Sequence, residues 1–212
     1  MNKPSSADNP GFTAQPINAQ TLPSVGQTGQ GPPRIVLGAF SAEFARYRRL
    51  AEAAAAQLPW PLLRVPPSPA TNSIAVIMKH VADNLRSRWT DPLTTDGEKL
   101  WRNRDTEFID DFADRDALEA AWTTGWSVLE HVLTTLTDED LHRELRIRGE
   151  PHTLALALAR SLSHTAYHVG QIVQTARALA EHEGLPWKTL TVPRGGSAEH
   201  NRSIGYDHGK PF

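Results

Sequence analysis

The longest helical pattern in the sequence, Thr153 to Glu181, constrains the fold most. At 100° per residue, Leu154, Leu158, Leu162, Val169, Ile172 and Ala176 fall on one arc, and Gly184 with Pro186 closes the run. An apolar stripe on so long a helix needs other elements to cover it. Three further helical segments are available. The first runs from about Ser41 to Leu58, rich in alanine and straight-chain residues, and a proline cluster from Pro59 to Pro69 ends it. The second begins near Ser73, with Asn72 or Ser73 as its cap, and carries Ile74, Ile77, Met78, Val81 and Leu85 at helical spacing. The third, roughly Asp116 to Leu136, carries Leu118, Trp122, Trp126, Leu129 and Leu133. The expectation is an all-α four-helix bundle. The long stretch from Thr90 to Asp114 permits a crossover, so that the second and third helices run parallel. Leu145 to His152, LRIRGEPH, alternates weakly and reads as a short extended segment.

Composition narrows the function classes. The 212 residues fit one domain with a tail. Lys and Arg total 22 against 24 Asp and Glu, which leaves no broad basic field for nucleic acid. The absence of cysteine excludes disulfides, thiolate ligands and a cysteine nucleophile, and it agrees with a reducing cytosol. The opening residues, MNKPSSADNPGFTAQPINAQ, hold no signal-peptide core, and no window approaches the roughly 18 apolar residues of a membrane span. The longest apolar candidate, Leu154 to Leu162, is interrupted by Arg160. A soluble, cytoplasmic protein is expected. Residues 1–33 contain six Pro, four Gly and four Gln, with only Lys3 and Asp8 charged. This composition predicts a disordered arm over residues 1–35, a bundle over 36–194 and a tail over 195–212.

The chemistry concentrates in SLSHTAYHVGQI. His164 and His168 are four residues apart, which stacks two imidazoles on one helix face, about 6 Å apart along the axis. His168 and Ser161 sit at an edge of the apolar arc, with His164 further out. On the second helix His80 holds a similar edge, beside Ile77 and one turn before Asn84. Edge positions on two helices can converge in the groove between them. Three neutral imidazoles would leave a fourth position for water, the open arrangement of a catalytic metal site. Spacing alone leaves the plainer alternative standing, that these are polar residues satisfied at helix edges. His131, His142, His152, His182, His200 and His208 take that plainer role.

The pattern SIAVIMKHVADNLRSRWTDPLTTDGEKLWRNRDTEF, followed by SLSHTAYHVGQIVQTARAL, resembles the DinB-like superfamily, over roughly Phe40 to Asn201. The resemblance implies a four-helix bundle with a divalent metal held by one histidine of the second helix and a His-x-x-x-His pair of the fourth. Those ligands map onto His80, His164 and His168. Zn, Ni, Mn and Fe all accept imidazole, so the metal's identity stays open. Relatives include S-transferases, isomerases and hydrolases that use a low-molecular-weight thiol such as bacillithiol, mycothiol or glutathione, and many form homodimers. Pro92 and Leu100 depart from the family pattern, where an aromatic residue and a proline are expected.

The resulting expectation is a metal-dependent transferase or hydrolase whose partners are a small-molecule thiol and an electrophile. The alternative is a non-catalytic metal-binding stress or interaction protein. Asn84, Ser161 and Gln171 are candidates to orient ligands or water. Arg102 and Arg104 are placed to grip a cosubstrate carboxylate; the reading favoured over that is an internal ion-pair network with Glu98, Asp105 and Glu107. Trp89 and Trp101 are expected to be packing anchors. Because imidazole must be neutral to bind metal, affinity is expected to fall below about pH 6.5.

Overall fold

The computed structural model describes residues 34–206. Apart from its last two residues, the arm expected over 1–35 lies outside the described residues, as do 207–212 of the tail. Four long helices form the bundle: α1 (Ile35–Ala55), α3 (Ile74–Trp89), α4 (Arg115–Thr135) and α5 (Leu154–His182). A single turn, α2 (Trp60–Leu63), follows α1, and α6 (Ser197–Ser203) lies in the tail. None of these helices is long and apolar enough to cross a membrane.

The capping chemistry explains where the helices begin. Ser73 Oγ accepts from the Val76 N–H, Asp114 from Ala117 and Thr153 from Leu156, each satisfying an orphan donor of a first turn. Helix α1 starts at Ile35, well ahead of the expected Ser41. Its cap is remote in sequence: the Asp138 carboxylate accepts from the N–H groups of Val36 and Leu37, both at 2.9 Å. At the far end of α5, the longest helix among the described residues, Gly184 takes φ +65° to turn the backbone out of the helix.

A few long-range hydrogen bonds fix the helix directions. Arg34, before α1, donates to Leu133 and Thr134 carbonyls at the end of α4, and Arg115, opening α4, donates to the Ala55 and Leu58 carbonyls at the end of α1. So α1 and α4 are antiparallel. Gln57, just after α1, exchanges two bonds with the Lys188 backbone beyond α5, so α1 and α5 run parallel. Trp89, ending α3, donates to Ser161 early in α5, while His80 meets His164 further on, so these two are antiparallel. It follows that α3 and α4 run parallel, and residues 90–114 form the crossover between them.

The core fills with the residues whose spacing announced it. Ile74, Met78, Val81 and Leu85 of α3 are buried against Leu118, Trp122, Trp126 and Leu129 of α4 and Leu154, Leu158, Val169 and Ile172 of α5. Phe44 of α1 meets Trp126 edge to face at 6.3 Å. The α3–α4 contact is close at Gly125, whose Cα faces the Ala82 backbone with no room for a side chain.

The extended segment is a two-stranded hairpin, β1 (Glu144–Ile147) and β2 (Glu150–Thr153), turning through Arg148 and Gly149, both at positive φ. Asp96 in the crossover accepts from both turn N–H groups, at 2.8 and 2.7 Å. That bond ties the hairpin to the crossover over one end of the α3–α5 groove.

Candidate metal centre

His80 is carried on the half of α3 that faces α5, and the i,i+4 spacing puts His164 and His168 on the α5 face opposite. The three rings converge. His80 Nε2 lies 3.1 Å from His164 Nε2, and His168 Nε2 lies 3.2 Å from the same atom. One nitrogen from each ring lies within 4.8 Å of the others. For metal–nitrogen bonds of 2.0–2.1 Å, ligands of one tetrahedral ion sit about 3.3 Å apart. The spacing matches a common ion.

The outward nitrogens decide the tautomers. His80 Nδ1 is 2.7 Å from Glu107 Oε2, and a carboxylate only accepts, so Nδ1–H donates to it. His168 Nδ1–H donates to Gln171 Oε1 at 2.8 Å. In the neutral rings that bind metal, both inward Nε2 atoms are therefore lone pairs. His164 Nε2 can present a proton to one of them but not to both. At least one of the two close nitrogen–nitrogen contacts then has no hydrogen between its atoms, an arrangement that a cation relieves. This is the observation that makes the donor set fit a divalent metal.

The family model described as "Protein of unknown function (DUF1572)" matches residues 34–196. The chain belongs to that family. No curated protein matches it. Among solved structures it is similar to YfiT from Bacillus subtilis, a probable metal-dependent hydrolase with an unusual four-helix bundle topology. That likeness has a TM-score of 0.55 at 17% identity, covering 74% of this chain and 93% of that one. A conserved protein from Enterococcus faecalis gives 0.54 at 19%, covering 69% and 98%, and the DinB-like protein YjoA from Bacillus subtilis gives 0.51 at 18%, covering 70% and 96%. At these identities the likeness establishes the fold. This DUF1572 member has the DinB-like four-helix bundle that its sequence pattern implied.

In this family member Glu107 is the residue that sequence reasoning placed only in an ion-pair network. It comes from a short turn, Thr106–Phe108, in the crossover, and is almost fully buried. Besides His80 it holds Arg102, whose Nε donates to Oε1 at 2.6 Å and whose second nitrogen donates to Oε2 at 3.0 Å. Burial pushes the Glu107 carboxyl up, but the His80 and Arg102 hydrogen bonds outweigh it and hold it below its ordinary value. Lys79 secures the same turn by donating to the Thr106 and Ile109 carbonyls, and the Phe108 ring stacks on His80 with centroids 5.0 Å apart. Glu107→Gln should weaken metal binding about 10- to 100-fold, because the amide no longer fixes an Nδ1–H donor on His80. Competition against a chromogenic chelator measures this; unchanged affinity would mean His80 is oriented by packing alone.

The other expected residues divide. Gln171 orients His168, and Ser161 accepts from Trp89 Nε1 at 3.1 Å. Asn84 and Ser161 line a cleft beside His164. Arg102 takes the ion-pair role: its side chain is buried between Glu107 and Glu98. Arg104 is exposed on the crossover, outside the histidine cluster. Trp89 is a buried anchor, whereas Trp101 is half exposed under the Arg86 guanidinium. Of the remaining histidines, His131, His142 and His182 are exposed.

Burial, then His168 and His80, lower His164 to about 3, and burial lowers His168 against the pull of Gln171. His164 thus stays neutral well below pH 6.5, and His168 is shifted in the same direction. For the metal-free protein the sign follows directly. Between about pH 6.5 and 3 the unfolded chain protonates residue 164 and the folded chain does not, so stability is lost as pH falls through that window. His164→Asn should flatten the pH dependence of the urea midpoint there by up to about one proton. An unchanged slope would assign it to other groups.

Proposed function

We propose that His80, His164 and His168 hold one divalent metal and that the protein is a metal-dependent enzyme acting on a small molecule, a transferase or hydrolase using a low-molecular-weight thiol. The observation that carries this reading is the convergence of three Nε2 atoms, with the His80 and His168 rings oriented from outside by Glu107 and Gln171. When bound, the ion supplies Lewis acidity that keeps a thiol or water nucleophile ionised at neutral pH. The chain has no cysteine, so a sulfur nucleophile arrives with the cosubstrate. Three protein ligands leave room for it, since no further histidine or carboxylate joins the cluster among the described residues. Glu107 and Gln171 hold the imidazoles in the tautomer that points Nε2 inward, and the cleft lined by Asn84 and Ser161 orients the partner molecule.

Elemental analysis of untagged protein should find one ion per chain. Chelation should abolish turnover of an electrophile panel supplied with bacillithiol, mycothiol or glutathione, and leave the helical circular dichroism unchanged. Metal-free protein, or no turnover with any thiol or with water, overturns the enzyme reading. Unfolding on chelation would favour the non-catalytic role, in which the metal is structural.

A further inference from the structure

The cleft beside His164 has a cavity volume of about 130 Å³ and lies between α3, α5 and the hairpin. Its walls are of two kinds. Trp89, Leu145, Ile147 and Ala157 are apolar, while Arg88 and Arg160 are cationic. Arg88 is already engaged. It donates to the Gly97 carbonyl at 2.8 Å and pairs with Glu98 at 3.2 Å. Glu98 is itself shared with Arg102 at 3.5 Å and Arg148 at 3.1 Å, so one carboxylate answers three cations. Burial and the neighbouring Arg102 and Arg148 hold Arg88 below its ordinary value, consistent with that crowding of positive charge.

Arg160 differs. No carboxylate among the described residues pairs with it. Its one hydrogen bond runs from Nη1 to His152 Nε2. His152 is buried, and its Nδ1–H donates to the Glu150 carbonyl at 3.0 Å, so Nε2 is the acceptor. A neutral imidazole therefore orients the guanidinium without compensating its charge. The remaining N–H groups of the planar fork are free to meet an anion two-point fashion, as guanidinium does with carboxylate.

We propose that this cleft is an anion-recognition pocket, in which Arg160 binds a carboxylate at the far end of a small molecule whose reacting group lies at the three histidines. The inference rests on the metal reading and names the substrate class of that site. Arg160 and His164 are one helical turn apart, and the guanidinium leans further toward His152. The anion and the metal position are then separated by roughly one to two turns, about 5–11 Å. The apolar walls between them suit a short methylene or aryl segment. Arg88 lies close by, and because its Glu98 partner is shared with Arg102 and Arg148, net positive charge remains beside the cleft.

The test uses the cobalt(II)-loaded full-length protein and two probes of equal chain length, hexanohydroxamate and adipate monohydroxamate. Both present a hydroxamate to the metal, and only the second carries a terminal carboxylate. Binding is read from the change in the cobalt visible spectrum, not from turnover. Adipate monohydroxamate should bind at least tenfold more tightly, or about 1.4 kcal/mol. In Arg160→Gln the ratio should fall to near one, with hexanohydroxamate affinity unchanged within twofold, and Arg160→Lys should restore part of it. A wild-type ratio near one overturns the pocket while leaving the metal site standing, and that comparison needs no variant to fold. A ratio that survives in Arg160→Gln also overturns it. Absence of any cobalt spectrum overturns the metal reading, and this proposal with it.

Discussion

His80→Ala should lower metal affinity by more than about 100-fold while the far-ultraviolet signal stays helical. Weakening a partner of a ligating histidine typically costs 10- to 100-fold, and removing one of only three ligands exceeds that. His80 is also the sole contribution of α3 to the cluster, so the remaining pair on α5 would hold the ion from one side only. Stability should fall too, on the order of 1–3 kcal/mol, because the ring is 5% exposed, stacks on Phe108 and satisfies one oxygen of buried Glu107. Arg102 still neutralises that carboxylate, which keeps the loss within reach of a folded variant. His168→Ala should match the loss of affinity with a smaller loss of stability, since His168 is only partly buried. Chelator competition and urea denaturation measure the two quantities separately. Full metal stoichiometry in His80→Ala would place the ion elsewhere.

Gly125→Ala should destabilise the bundle by about 3 kcal/mol or more. A methyl group there would lie 2.4 Å from the Ala82 carbonyl oxygen, 2.7 Å from its Cα and 2.8 Å from its carbonyl carbon. Overpacking usually costs about 1–3 kcal/mol when side chains can give way. Here the three nearest atoms are all main chain, so α3 and α4 must separate. The intrinsic helix preference for alanine over glycine, about 1 kcal/mol, opposes this and does not cancel it. Gly170→Ala is the internal control, because nothing lies within 4 Å of its added methyl, and it should be neutral or slightly stabilising. The readout is the urea midpoint at unchanged slope. Equal midpoints for Gly125→Ala and the wild type would disprove the tight crossing. Because α3 carries His80, metal affinity should fall along with stability in this variant.

The helices and the three histidines were legible because both are written in local period. An apolar residue every three or four positions marks a helix face, and the i,i+4 spacing puts His164 and His168 side by side at and beyond its edge. The start of α1 was not legible, since its cap is Asp138, about a hundred positions away. Nor was the role of Glu107. In a crossover rich in both signs of charge, nothing local says which carboxylate turns inward, and only the packing of the turn around Phe108 and Lys79 selects it. Arg160 entered the sequence reading merely as an interruption of an apolar run. Its orientation depends on His152, which the hairpin brings to it across eight positions that change from strand to helix. What spacing encodes is the helix pair of histidines; what surrounds them is assembled by tertiary contact.

Since α3 and α4 point the same way, the chain must travel back along the bundle before α4 can begin, and it passes His80 on that return. An up-down-up-down rewiring, with a tight turn after Trp89, could keep all four helices and every imidazole in place. It would have no strand of backbone to deliver a carboxylate behind the first of them. The return journey is thus what equips the cluster, and shortening it would disarm the site without touching a single ligand.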